Sequence, residues 1–133
     1  ADNPLGIDRS DPAAKDDFNS VNQLALPVNK PAIIHLSSKD VIHSFGVPEL
    51  RVKQDAVPGL TIPIWFIPTV TTADMRNQTG NPEFQYEIAC AQLCGLGHAR
   101  MRGFVTVQSA EEFQKWMEEA TAEQAGAAAD PFR

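Results

Sequence analysis

No stretch of this chain is apolar for long enough to span a bilayer, which predicts a soluble domain for the 133 residues as they stand. There is no initiator methionine and no apolar signal segment at the start, so the expectation is a processed leader or a piece excised from something longer. Basic residues never gather into a stripe, which removes nucleic acid from the expected partners. No internal repeat is visible, and the alternation of strand and helix that a parallel α/β sheet needs is missing. Cysteine is scarce, with only two residues, and that count alone does not choose between a disulfide, a metal pair and two inert thiols.

What remains is an ordinary globular composition of a size that fits one domain, 43% apolar and 21% charged. The net charge of −6 sits at the ends. Residues 1–20 hold five acids against Arg9 and Lys15, and residues 109–133 hold six against Lys115 and Arg133, so the stretch between is nearly neutral. Acidic termini of this kind solubilise a chain, and a basic protein partner is the alternative.

The first twenty residues are rich in Asp, Pro, Ser and Asn and predict an extended lead-in. From Val21 onward, short apolar runs punctuated by Pro, Asn and Ser predict β-strands, with further strands in "TIPIWFIPTV", "EFQYEIAC" and "GFVTVQ". "VPG" at 57–59 and "NQTGNP" at 77–82 read as turns, and Met75 as a loop residue. A single helix is expected, at 109–126. Ser109 and Glu112 form a capping box, Phe113, Trp116, Met117 and Ala120 form one apolar face, and Gly126 stands as the stop, with a tail at 127–133. The fold class is therefore an all-β barrel or sandwich over 21–108 with a short C-terminal helix.

Sulfur and imidazole concentrate in "CAQLCGLGHARM", where Cys90, Cys94, His98 and Met101 follow the spacing C-x3-C-x3-H-x2-M. The segment joins two expected strands, and Gly95 and Gly97 allow it to fold tightly around a soft or borderline metal. His43, near a strand end in "DVIHSFGVP", is the favoured outside ligand, whereas His35 in "AIIHLSS" reads as structural. Several readings compete. A Cys90–Cys94 disulfide is possible but leaves His98 and Met101 unexplained. Zinc on two cysteines and two histidines leaves Met101 idle. A mononuclear blue-copper site has one cysteine too many, and a redox dithiol more often shows C-x-x-C. Two thiolates, two imidazoles and a thioether, joined by a backbone carbonyl in the loop, are the right number for two copper ions bridged by the thiolates.

With these residues assembled, the chain resembles the copper-binding domain of cytochrome c oxidase subunit II. "SKDVIHSFGVPELRVKQDAVPG" (38–59), "WFIPT" (65–69) and "CAQLCGLGHARMRG" (90–103) match that family's blocks in order. The resemblance runs from about Val21 to Met117 and implies a cupredoxin-like Greek-key barrel carrying a binuclear CuA centre. It implies that Cys90 and Cys94 bridge both coppers, that His43 and His98 bind one each, and that Met101 and the main-chain carbonyl of Gln92 complete them. It also implies cytochrome c as electron donor, subunit I of the oxidase as acceptor, a periplasmic location, and Arg100 and Arg102 as candidates on the electron-exit route. Two surface arginines balancing an acidic protein are the plainer reading of that pair. The family's magnesium or manganese ion at the subunit interface uses a carboxylate at position 92, where Gln92 carries no charge. The aromatic stretch that supplies the family's electron-admitting Trp is missing, and Trp65 and Trp116 both read as packing residues. A copper-storage or copper-delivery protein built on the same ligands is the alternative function.

Overall fold

The computed structural model describes residues 6–8, 10–14 and 16–129, without the side chains of Ala99 and of 123–129. Among the described residues seven strands form: β1 (Gln23–Pro27), β2 (Ala32–Leu36), β3 (His43–Val47), β4 (Val52–Ala56), β5 (Ile62–Phe66), β6 (Tyr86–Ala89) and β7 (Arg102–Gln108). A curled five-stranded sheet has the order β1-β7-β6-β3-β4, and β2 and β5 form a separate two-stranded ribbon. β7 runs parallel to β1 and antiparallel to β6, so the first and last strands are neighbours.

The alternation of β7 explains the core. Gly103, Val105 and Val107 point inward and are buried, while Arg102, Phe104 and Thr106 point outward. Val105 and Val107 meet Leu26, Val47 and Tyr86, and Ala32 and Phe66 of the ribbon pack against that cluster from the other side. The Tyr86 hydroxyl donates to the Val70 carbonyl at 2.9 Å, so its ring can be buried without an orphaned polar group. Leu26, only 8% exposed, faces this cluster from β1. Leu26→Ala is expected to cost about 3 kcal/mol by leaving a cavity. A thermal melt of the metal-free chain should then show a midpoint roughly 10 °C lower.

The helices depart from the sequence expectation in two ways. A second helix, α1 (Thr72–Thr79), occupies part of the expected turn region. Thr71 caps it by accepting from the Asp74 N–H at 3.0 Å, and Gly80 ends it with φ +65°. Met75 is therefore helical and packs on the core instead of lying in a loop. The C-terminal helix α2 spans Ala110–Ala129, beyond Gly126. One glycine costs a helix only about 1 kcal/mol, and the alanines at 127–129 are the best helix formers. Residues 130–133 of the tail lie outside the described residues. The capping box is formed as expected, with the Ser109 N–H donating to Glu112 at 3.0 Å and the Glu112 N–H donating back to Ser109 Oγ at 3.3 Å.

Trp116 packs edge-on against Phe18 at 4.9 Å between ring centres and stacks with Phe113 at 5.8 Å, tying the lead-in to α2. Trp65 does not pack. It is 72% exposed on the outer face of the ribbon, paired with the equally outward Ile33, because the alternation of β5 turns Ile62, Ile64 and Phe66 inward instead.

Candidate metal centre

Three strand ends meet at one end of the sandwich. β6 stops at Ala89, one residue before Cys90, and β7 starts at Arg102, one residue after Met101. Ala89 and Arg102 are cross-strand partners, so residues 90–101 form a closed connection whose ends are held side by side. β3 joins β6 through the single pair Gly46–Ala89, which brings His43, the first residue of β3, to the same end. A β-carbon at Gly46 would lie 3.2 Å from the Ala89 carbonyl, so glycine suits this close approach. Within the loop Gly95 takes φ +128°, a conformation glycine adopts readily, whereas Gly97 at φ −85° needs no such freedom.

The side chains converge on sulfur. Cys90 Sγ and Cys94 Sγ are 3.7 Å apart as free thiols. Cys94 Sγ lies 3.5 Å from His98 Nδ1 and 3.3 Å from Met101 Sδ, and Cys90 Sγ lies 3.2 Å from the Gln92 carbonyl oxygen. One ring nitrogen of His43 and the two sulfurs all lie within 4.8 Å of one another, the only such group of His, Cys, Asp or Glu among the described residues. All six expected donors thus stand at one place. Arg102 pairs with Glu87 at 3.1 Å on the sheet surface, while Arg100 is exposed and makes no salt bridge among the described residues. His35 lies apart from the cluster, exposed on β2 opposite Pro63.

Two residues that the sequence reading passed over shape the site. Asp40 accepts from His43 Nε2 at 2.8 Å, and His43 Nδ1 is buried without a hydrogen-bond partner among the described residues. A carboxylate on Nε2 fixes the proton there and leaves the Nδ1 lone pair free, the usual preparation of a histidine for a metal. The signal was present as an acid three residues before the histidine in "DVIH". Ser44 donates its N–H to Cys90 Sγ at 3.5 Å, a bond that follows from strand pairing and has no sequence signature.

The electrostatics favour a thiolate at Cys90. Burial pushes that thiol up, but the Ser44 N–H, the main chain at Gln92 and the side chains of His43 and Cys94 outweigh it and bring it down to about 6. Burial and the neighbouring Cys90 push Cys94 up instead. Asp40 raises His43, and Cys90 adds to that; His43 in turn holds Asp40 at about 2. Asp40 is 70% exposed, so solvent screens the pair and its role is orientation more than stability.

Taken together, a strand sandwich with soft and borderline donors gathered on the loop between its last two strands defines a cupredoxin-like domain with a candidate metal site. The family model described as the periplasmic domain of cytochrome c oxidase subunit II matches residues 10–109. The chain belongs to that family. The alternative cytochrome c oxidase subunit 2 of Bradyrhizobium diazoefficiens is 38% identical over 119 residues, 89% of this chain and 39% of that protein. The crystal structure of the periplasmic domain of subunit II (CoxB) of Bradyrhizobium japonicum superposes with a TM-score of 0.64 at 32% identity, covering 77% of this chain and 66% of that one. A structure of a mixed disulfide intermediate between a thioredoxin-like protein and a subunit II periplasmic domain superposes at 0.59 with 31% identity, covering 76% and 63%. The chain spans about two fifths of the length of the first of these relatives. No helix among the described residues is long and apolar enough to cross a membrane.

Proposed function

We propose that this chain is the electron-transfer domain of a haem-copper terminal oxidase, accepting electrons from a cytochrome c at a binuclear CuA centre and passing them to haem in subunit I. The observation that supports this reading is the cluster of two thiols, two imidazoles, a thioether and a carbonyl around Cys90 and Cys94. Cys90 and Cys94 would be shared by two copper ions, His43 and His98 would supply one ligand each, and Met101 and the Gln92 carbonyl would supply the remaining two. Thiolate, imidazole and thioether suit copper, and the unpartnered Nδ1 of His43 is a donor that a metal would satisfy. When bound, the centre supplies a one-electron couple shared between two ions. The chain's part is to hold the donors on three strand ends, so that little moves when the charge changes. Position 92 offers no carboxylate, and magnesium or manganese is not assigned to this chain.

Copper loading followed by a metal count and an EPR spectrum tests the assignment. Two coppers per chain with hyperfine splitting shared over both nuclei is the expected result. One copper, or a spectrum confined to one nucleus, would replace it with the delivery or mononuclear reading.

Both thiols are needed, and their separation of 3.7 Å is short enough for a small movement to join them. The relative caught in a mixed disulfide supports a thioredoxin-like reductant as a partner that prepares the site. The chain oxidised to the Cys90–Cys94 disulfide is expected to take up no copper. A dithiol reductant, itself oxidised to its disulfide as it returns two electrons and two protons to the pair, should restore uptake. Equal copper uptake by oxidised and reduced chains would overturn this.

A further inference from the structure

Beside the cluster, and sharing donors with it, lies a cleft of about 520 Å³. His43, Cys90 and Met101 line it, whereas Cys94 and His98 do not, and it extends past them along β3, β4 and β6 of the large sheet to Leu36 at the end of β2. Leu36, Phe45, Ala56 and Ile88 make the interior apolar. Ser44, only 4% exposed, lines it too, and its hydroxyl has no partner among the described residues. Arg100, free of any salt bridge there, stands at the rim. A cavity of this size with apolar walls and a few polar groups is typical of sites for small organic ligands.

We propose that this cleft binds a small amphipathic anion, with its apolar body against Leu36, Phe45, Ala56 and Ile88, its acidic head on Arg100, and Ser44 Oγ available to a polar atom inside. A purely apolar guest would leave both the Ser44 hydroxyl and the Arg100 guanidinium unused. A larger anion such as a nucleotide has too much polar surface for walls of Leu, Phe, Ala and Ile. Because the cleft shares His43, Cys90 and Met101 with the proposed copper centre, an occupant touches that centre. The site itself stands on the metal-free chain and does not rest on the copper assignment.

Titration with 1-anilinonaphthalene-8-sulfonate, an aromatic sulfonate that fluoresces when shielded from water, tests the proposal on the 133-residue chain with and without copper. The expected result is one saturable site per chain, from which decanoate displaces the dye. Ala56→Leu, which fills the cleft, should weaken binding about tenfold, and Arg100→Gln about threefold. Arg100→Gln should leave binding of the uncharged N-phenyl-1-naphthylamine unchanged. Should Ala56→Leu fail to fold, methyl NMR of the parent chain decides. Dye-induced shifts at Leu36 and Ile88 support the cleft, and shifts confined to the exposed Ile33 and Ile67 overturn it. Dye bound at several sites, or bound equally by folded Ala56→Leu and Arg100→Gln, overturns it as well.

Discussion

Cys94→Ser is expected to reduce copper binding from two ions per chain to one or none. Cys94 Sγ is the hub of the cluster, within 3.7 Å of Cys90 Sγ, 3.5 Å of His98 Nδ1 and 3.3 Å of Met101 Sδ. It joins the Cys90 side to the His98–Met101 side, so its loss separates the donors into two incomplete sets. A serine hydroxyl is a hard donor that stays protonated at neutral pH and does not replace a bridging thiolate. Changing a group that merely orients a ligand already costs about 10- to 100-fold in metal affinity, so losing the bridge should exceed about a hundredfold for the second ion. Leu93→Ser is the matched control, since Leu93 adjoins Cys94 and is 82% exposed. Metal analysis after dialysis, with EPR on the same samples, provides the comparison. A Cys94→Ser variant that keeps two coppers with shared hyperfine splitting would overturn the bridging role.

The parts of this molecule legible in the sequence were those with a local signature. β7 announced itself by Phe104, Val105, Thr106 and Val107, and α2 by its capping box and the spacing of Phe113, Trp116 and Met117. The donor loop was legible because C-x3-C-x3-H-x2-M is confined to twelve residues. α1 was missed although Thr71, Asp74 and Gly80 are proper helix signals. It has eight residues and sets mainly Met75 against the core, so it lacks the apolar period by which surface helices are recognised. Trp65 was misread because size and hydrophobicity suggest burial, whereas the face of a strand residue depends on register with a distant partner, here Ile33. The meeting of His43 with Cys90 is likewise a product of pairing. It depends on β3 lying beside β6 at Gly46 and Ala89, more than forty positions apart. The place of His43 near a strand end favoured it as the outside donor, but no periodicity shows that pairing.

Asp40→Asn should separate the orienting effect of Asp40 from its effect on the proton that copper must displace. In the parent chain Asp40 raises His43, so the ring keeps its proton to a higher pH than the ordinary 6.5, and acid competes with the metal from that point downward. The signs for the metal-free fold follow from linkage. The raised His43 contributes stability that is complete below pH 6.5 and is lost as pH rises through its folded value. The depressed Asp40 contributes stability that is complete above 3.8 and is lost as pH falls toward about 2. The ion pair is therefore whole between those limits, where the protonated His43 ring offers no lone pair to copper. Removing the carboxylate charge lets His43 fall toward its ordinary value, which moves the onset of proton competition to lower pH. It also weakens the hold on Nε2, so Nδ1 is no longer fixed toward the sulfurs. At pH 8 protons compete little and only the orientation remains, so the variant should bind copper about tenfold more weakly there. Near pH 6 the two effects oppose one another and the gap should narrow. Copper affinity measured against a competing chelator from pH 5.5 to 8.5 in both chains gives the two curves. Parallel curves would mean that Asp40 acts on the ring's orientation alone, and coincident curves that it plays no part in the site.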